Sequence, residues 1–448
     1  MYAKEKGYID LTNCKIIKGL ILFSLPMIAG NLLQQFYNIT DTLIVGKFIG
    51  RDALAAVGSA YSLMTFLTSV FLGLSMGAGV LFSIELGREN LHRLRSAVSH
   101  AFVLILLITA VLNVLLFLGT DPLLHFLSIP DEIYDYTKEY LLIIFTGLIA
   151  ISLYNFFACL LRAVGNSVVP LVYLGISALL NIGLDLLFVP VFQWGIQGAA
   201  IATVIAQYVS GIGILVYFLA KGHRFIPEPE ERKFDAGVLK DILSLSSMTC
   251  IQQSCMNFGI LLVQRLVDSF GTVTMAAFAA GVKIDTFAYL PVQDFGNAFS
   301  IFISQNCGAG KSDRQRKGFR IATLISLAFS ALASILVVAF ARPLMQIFIS
   351  ANETEVLASG IRYLHIEGAF YIGIGCLFLL YGFYRGIGRP GISVMLTIVS
   401  LGTRVILAYI LAPIIGETGI WMAVPIGWLL ADVIGYGWYF FKKSSWFQ

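Results

Sequence analysis

The chain has 448 residues, of which 58% are hydrophobic and only 12% charged, with a formal net charge of +4. Soluble domains carry roughly 25% charged residues, so this composition excludes an ordinary water-exposed surface and predicts a chain that lies mostly in a lipid bilayer. The small positive charge does not indicate nucleic-acid binding. The six cysteines form no C-x-x-C pair, which favours small buried thiols over disulfides or a structural metal site.

Twelve apolar segments are long enough to cross a bilayer, which takes about 20 helical residues. They lie at 18–46, 53–84, 97–118, 137–160, 168–190, 197–220, 239–264, 274–304, 319–340, 358–383, 391–414 and 418–441. The sequence therefore predicts an all-α integral membrane protein with 12 transmembrane helices. Pro26 and Pro291 lie inside two of these segments and predict bends there.

Basic residues are concentrated in alternate loops. If the N-terminus is inside, the outer loops hold only Lys47, Arg51, Lys138, Arg265 and Arg342, and the inner segments hold most of the others. Cytoplasmic loops of membrane proteins carry an excess of Lys and Arg, so both termini are expected in the cytoplasm.

The sequence repeats itself with a shift of about 221 residues, which places Gly50 on Gly271 and Gly87 on Gly308. This spacing predicts two pseudo-symmetric six-helix lobes related by a parallel repeat, a recurrent plan in secondary transporters. The predicted organisation is an N-terminal lobe at 1–220, a charged cytoplasmic linker at 221–238 and a C-terminal lobe at 239–448.

Motifs of catalysis and nucleotide binding are missing from the sequence. It has no H-E-x-x-H and no G-x-S-x-G. The stretch GAGKS (Gly308–Ser312) lacks the first glycine of a phosphate-binding loop, because Gln305 stands there. We therefore expect a protein that is not an enzyme and has no cofactor.

Polar residues interrupt the first and fifth predicted spans. Gln34, Asn38 and Asp41 are spaced to share one helical face, and so are Asn181 and Asp185. Such a face is expensive in lipid and should point into the helix bundle. Two carboxylates and amides from two helices suit a small hard cation or a shared proton, as ion-coupled transport requires. Alternatively, Asp41 is protonated and inert, because insertion of one such residue costs only about 3 kcal/mol.

The second half lacks this pattern, because the repeat places Leu262, Arg404 and Ala408 against Asp41, Asn181 and Asp185. Its own charges within predicted spans include Lys283, Asp285, Asp294, Glu367 and Arg404. Two interpretations remain open for them: internal ion pairs that fix the packing, or a functional group of charges.

Further polar and aromatic residues are candidates for the lining of a cavity that takes a flat hydrophobic ligand. They are Gln34, Tyr37, Asn38, Tyr154, Asn155 and Phe287. Each of the aromatic side chains also fits ordinary helix packing.

The chain resembles the multidrug and toxic compound extrusion (MATE) family, in particular its DinF-like branch. The resemblance rests on SLPMIAGNLLQQFYNITDTLIVGKFIGRDALAAVG (Ser24–Gly58), the turns RAVGNSVVP and RGIGRPG, and GIQGAAIATVIAQ at the sixth span. It extends along essentially the whole chain.

The resemblance implies a V-shaped molecule of two lobes with a central cavity open to each side of the membrane in turn. It implies an antiporter that exports hydrophobic, often cationic compounds in exchange for inward H⁺ or Na⁺. The DinF-like cation site corresponds here to Asp41, Asn181, Asp185 and Thr203, where Na⁺ would bind only transiently. It also implies a monomer in the prokaryotic cytoplasmic (inner) membrane, with the lipid bilayer and small organic substrates as partners.

One alternative function comes from the same superfamily, whose lipid-linked oligosaccharide flippases share the lobed architecture. Such proteins favour a strongly cationic cavity. Lys283 and Arg404 keep this alternative open, whereas the acidic residues of the first half favour a transporter of cations.

Overall fold

The computed structural model describes residues 8–127 and 129–446, and the chain termini, expected in the cytoplasm, lie outside them. The described residues form sixteen α-helices and no strand. The helices are α1 (Ile16–Phe48), α2 (Arg51–Gly87), α3 (Leu91–Leu118), α4 (Thr120–Phe126), α5 (Asp131–Phe145), α6 (Leu148–Ala163), α7 (Val168–Phe188), α8 (Gly195–Lys221), α9 (Ala236–Asp268), α10 (Thr272–Gly308), α11 (Ser312–Ala339), α12 (Ala341–Gln346), α13 (Thr354–Gly368), α14 (Tyr371–Gly386), α15 (Pro390–Ile415) and α16 (Glu417–Trp446).

Each of the twelve predicted spans coincides with one long helix or with a bent pair of helices. Within the described residues, nine single helices are long and apolar enough to cross a membrane. Two more spans are bent pairs, α5 with α6 at 48° and α13 with α14 at 50°. Two straight spans were expected at these positions, and this expectation is wrong, because each span bends at a break that contains no proline. Pro26 and Pro291 lie inside the helices α1 and α10.

Helix α9 corresponds to the one remaining predicted span, at 239–264, and it differs from the other spans in composition. It has 33 residues, enough to cross a bilayer, but it is not among the helices that are apolar enough by hydropathy. Its middle carries polar residues, and Ser246, Thr249 and Gln252 are almost fully buried. These polar side chains therefore face protein, where small and polar residues serve helix packing in membranes.

The residue contacts divide the chain into two compact units. The first unit contains Leu25–Cys250 with the residues up to Ile9, and the second contains Asp10–Ser24 with the residues from Ile251 onward. Helix α1 therefore contributes its beginning to the second unit and the remainder to the first. The lobe boundaries drawn from the sequence repeat remain a prediction.

Close backbone contact joins α2 to α9 within the first unit. A Cβ atom added at Gly77 would lie 2.4 Å from Ser246 Cα, and one added at Gly73 would lie 2.5 Å from Cys250 Cα. The Ser246 hydroxyl donates a hydrogen bond of 2.8 Å to the carbonyl of Leu74. Glycine and serine at such a crossing allow the close approach that drives helix association in lipid.

The second unit has a similarly close backbone contact between α10 and α14. A Cβ atom at Gly382 would lie 2.2 Å from the carbonyl oxygen of Gly296. Further along this pair, the Arg385 guanidinium donates to Ser300 Oγ at 3.2 Å and to Asn297 Oδ1 at 2.7 Å. The contact therefore combines backbone proximity with buried polar bonds.

Helix lengths recur in the two halves of the chain, which confirms the internal repeat. Helices α2 and α10 both have 37 residues, and α3 and α11 both have 28. Both halves also contain a bent pair of 15 and 16 residues. Gly50 and Gly271 precede α2 and α10 with φ of 123° and 92°, a left-handed region that strongly favours glycine.

The crossing of α2 and α9 generates the first testable prediction. We expect Gly77→Ala to lower stability by about 1–3 kcal/mol, because the new methyl group has no room against the α9 backbone. Gly58→Ala is the matched control, since a Cβ atom at this exposed position in α2 meets nothing within 4 Å. Thermal unfolding of both variants in detergent provides the measurement, and equal melting temperatures would contradict the contact.

Candidate functional site

The second half of α1 turns its polar stripe inward. Asp41 is only 9% exposed and Gln34 and Asn38 are half-buried, whereas Phe36 and Leu43 on the opposite side are 58% and 65% exposed. This agrees with the face predicted from the spacing of the polar residues. The helix therefore directs one carboxyl group and two amides into the protein.

Three helices of the first unit bring the four predicted cation-site residues together. Asn181 and Asp185 lie one turn apart on α7 and are 1% and 0% exposed, and Thr203 on α8 is 7% exposed. Asn181 Nδ2 donates to Thr203 Oγ1 at 3.3 Å. The carboxyl groups of Asp41 and Asp185 lie within hydrogen-bond distance of each other. We call Asp41, Asn181, Asp185 and Thr203 the first-unit cluster.

Several oxygen atoms of the first-unit cluster accept no hydrogen bond from the described residues. Asp41 Oδ1, Asn181 Oδ1 and both carboxyl oxygens of Asp185 are buried without a hydrogen-bond partner in the described part of the chain. Neither carboxyl group has a Lys, Arg or His partner among these residues. Two ionised carboxylates accept hydrogen bonds only, so their contact requires a proton or a cation between them.

Two tyrosines lie beside the first-unit cluster. The phenol groups of Tyr37 and Tyr140 both interact electrostatically with Asp41 and Asp185. Tyr37 is one of the cavity candidates predicted from the sequence, whereas Tyr140, which is 7% exposed on α5, is not among them. Tyr140 stands in the apolar stretch EYLLIIF, where nothing local distinguishes it from a packing aromatic.

Two further cavity candidates, Tyr154 and Asn155, form hydrogen bonds to backbone carbonyl groups. Tyr154 Oη donates to the carbonyl of Pro170 at 3.0 Å, and Asn155 Nδ2 donates to Ile151 within its own helix at 2.9 Å. Phe287 belongs to the second unit and is half-buried. Their role in binding a substrate stays a prediction.

The charges of the second half divide into a buried group and outlying residues. Asp285 and Glu367 are 5% and 3% exposed and share the hydroxyl of Tyr363. Arg404 on α15 is half-buried, and its Nε atom has no hydrogen-bond partner among the described residues. Lys283 is exposed, with its ammonium 5.7 Å from the ring centroid of Phe348. Asp294 is buried further along α10.

Within the described residues, no three or more His, Cys, Asp or Glu side chains are grouped as ligands for a metal ion. The first-unit cluster offers two carboxyl groups, one amide and one hydroxyl. Oxygen donors of this kind suit a proton or a hard monovalent cation better than a soft transition metal.

Comparison with known proteins places the chain among transporters. It is 27% identical to the probable multidrug resistance protein YpnP of Bacillus subtilis over 97% of each chain. It is 25% identical to the probable multidrug resistance protein NorM of Thermotoga maritima, over 97% of this chain and 93% of that protein. The fold matches a crystal structure of MATE in complex with MaL6, with a TM-score of 0.93, 21% identity and 99% of each chain covered.

The family model MatE matches two segments of this chain, residues 26–187 and 247–410. The matched segments correspond to the two repeats of the sequence, and together they cover most of the chain. They include Asp41, Asn181 and Asp185, and also Asp285 and Glu367 of the second half. This match over most of the chain shows that the protein, with its buried carboxyl groups and its repeated bent helix pairs, belongs to the MATE family of transporters and is a multi-pass membrane protein.

Proposed function

We propose that this protein exports hydrophobic, often cationic organic compounds and drives their export by the inward movement of H⁺ or Na⁺. The family and the relatives named as multidrug resistance proteins support the export of drugs. A single observation supports the coupling: two buried carboxyl groups in contact, with no basic partner among the described residues. The acidic character of this cluster gives no support to a flippase of lipid pyrophosphates.

The coupling follows from the energetics of the Asp41–Asp185 contact. Two negative charges in contact and away from water repel strongly, and neither group is stable there as a bare anion. A proton or Na⁺ that enters the cluster removes the repulsion and stabilises the arrangement in which the carboxyl groups touch. Departure of the proton or Na⁺ favours an arrangement in which the two carboxyl groups separate. A bound ion and an exported compound exchange only if each prefers a different conformation.

Asn181 and Thr203 complete the cluster as uncharged oxygen ligands for a cation. The unpartnered Asn181 Oδ1 and the Thr203 hydroxyl add oxygen ligands without adding negative charge. This set corresponds to the arrangement implied by the DinF-like branch, and we propose that this chain belongs to that branch. The aromatic and amide residues named as cavity candidates would contact the exported compound.

The charge distribution supports an orientation in the membrane. We place the protein in the cytoplasmic membrane of a prokaryote with both termini in the cytoplasm, because basic residues are rare in the loops assigned to the outside. A monomer suffices for the mechanism, since the first-unit cluster is built from one chain.

Replacement of Asp41 tests the coupling directly. We expect Asp41→Asn to abolish efflux of ethidium from cells, because an amide keeps the shape of the carboxyl group but removes one of the two charges. Asp135→Asn is the control, since Asp135 is exposed on α5, away from the cluster. The measurement is ethidium accumulation at equal amounts of membrane-inserted protein. Normal efflux by the Asp41 variant would refute the proposal.

Removal of the Thr203 hydroxyl distinguishes the two coupling ions. If Na⁺ is the coupling ion, Thr203→Val deletes one of its ligands and raises the half-activating Na⁺ concentration by about tenfold, equivalent to about 1.4 kcal/mol. If H⁺ is the coupling ion, transport in proteoliposomes follows the pH gradient and is indifferent to Na⁺ in wild type and variant. Thr203→Ser keeps the oxygen and serves as the control. Transport driven by neither gradient would exclude ion coupling.

A further inference from the structure

Helices α11 and α16 meet through aromatic rings at the end of the second unit where α11 begins and α16 ends. The rings of Phe319 on α11 and Tyr439 on α16 stack with their centroids 4.4 Å apart and their planes at 20°. Both rings also contact Phe383 on α14, at centroid distances of 4.9 Å and 5.4 Å. All three side chains are buried, so this ring contact fixes the two helix ends beside each other.

Basic side chains from both helices flank the ring contact. On α11, Arg316 precedes Phe319 by one turn and shares its face, and Arg320 lies one turn further along from Arg316. On α16, Lys442 follows Tyr439 by one turn and shares its face. The basic side chains of the two helices therefore lie around the same rings. We call the exposed residues Arg316, Lys317, Arg320 and Lys442 the basic patch.

The chain supplies little negative charge near the basic patch. Asp313 is the one acidic residue of α11, and no acidic residue follows Asp432 on α16. Asp432 lies ten residues before Lys442, which is about 15 Å along a helix. Lys317 and Arg320 form no ion pair with any of the described residues. The basic patch thus sets four positive charges against the single negative charge of Asp313.

The first unit neutralises the arginine at the matching position. In the repeat of about 221 residues, Arg95 on α3 corresponds to Arg316. The Arg95 guanidinium lies 2.8 Å from Glu228 Oε1 and 3.5 Å from Glu231 Oε1, and both glutamates belong to the segment that follows α8. The corresponding stretch at the end of the chain, FKKSSWFQ, contains no acidic residue. The second unit therefore has no acidic segment like the one that faces Arg95.

Exposed aromatic side chains lie beside the basic patch. Trp438, Phe440 and Phe441, near the end of α16, are 42%, 61% and 88% exposed. Aromatic residues are enriched where a membrane meets water, at the level of the lipid headgroups. In the proposed orientation this end faces the cytoplasm, and the cytoplasmic leaflet carries anionic lipids. The surroundings of the basic patch therefore favour a lipid over a soluble anion.

We propose that the basic patch binds the headgroup of an anionic phospholipid of the cytoplasmic leaflet, with the exposed aromatic side chains of α16 beside its acyl chains. Phosphate oxygens accept charge-assisted hydrogen bonds from guanidinium and ammonium groups. A phospholipid held by both helices bridges the beginning of α11 and the end of α16, and it supplies the counter-charge that the chain lacks there. This inference goes beyond the proposed function and takes from it only the orientation in the membrane.

The first test compares two lipids that differ only in the headgroup. The melting temperature of the full-length protein in detergent is measured as dioleoyl phosphatidylglycerol or dioleoyl phosphatidylcholine is added. We expect a saturable rise with phosphatidylglycerol, since a ligand that binds only the folded state stabilises it, and a much smaller rise with phosphatidylcholine. Equal rises with the two lipids would overturn the inference. An equal rise with inorganic phosphate would also overturn it, because the ligand would then be a free anion.

The second test locates the lipid on the protein. We expect Lys317→Gln/Arg320→Gln to raise the phosphatidylglycerol concentration for half-maximal stabilisation by about tenfold or more, because each basic residue adds to the attraction of anionic lipid. Lys221→Gln/Lys233→Gln is the matched control, since it removes two exposed positive charges from the first unit and gives the same net charge. Equal concentrations for the two double variants would place the lipid elsewhere and refute the proposal.

Two further comparisons keep the second test decisive. Lys317→Arg/Arg320→Lys preserves both charges and should bind phosphatidylglycerol as the wild type does. If Lys317→Gln/Arg320→Gln does not fold, Lys317→Gln and Arg320→Gln are each compared with Lys221→Gln, and the same increase is expected only for the patch residues. Neither test measures transport, so the result is independent of the coupling proposed for Asp41 and Asp185.

Discussion

The cost of a carboxylate held away from water is the constraint on which the rest of this structure depends. An isolated buried charge is too expensive to keep, so it must be paired, protonated or bound to a cation. Asp41 and Asp185 touch with no basic partner in the described chain, whereas Asp285 accepts hydrogen bonds from the hydroxyls of Tyr363 and Tyr371. The same constraint is met at Asp285 by phenol hydroxyls, whereas the contact between Asp41 and Asp185 needs a proton or a cation.

The helix packing relies mainly on close contact between small residues. Glycine contacts bring α2 against α9 and α10 against α14 closely enough that a single added carbon would collide with backbone. The bond from Ser246 to the carbonyl of Leu74 completes the first of these contacts, and a bond from Tyr384 to the carbonyl of Gly435 joins α14 to α16. Close packing of this kind excludes water, which strengthens every interaction of the buried carboxyl groups.

Much of the fold and part of the site could be predicted from the sequence, because both depend on local signals. Apolar segments predict the spans, and Asp41, Asn181 and Asp185 stand out because a charge or amide in such a segment is costly. Thr203 came only from the resemblance, since a threonine in a membrane helix is unremarkable alone. Tyr140, Tyr363 and Tyr371 were missed because their roles depend on which helix faces them. The bends of the two helix pairs were missed because neither break contains a proline.

The repeat shows which features the fold requires and which it leaves free. Helix lengths, the two bent pairs and the left-handed glycines before α2 and α10 recur in both halves, because they are properties of the backbone path. Charge does not recur, since Leu262, Arg404 and Ala408 stand where the first half has Asp41, Asn181 and Asp185. The repeat therefore reproduces the backbone path and leaves the chemistry free, because the buried contact between Asp41 and Asp185 has no counterpart at the matching positions of the second half.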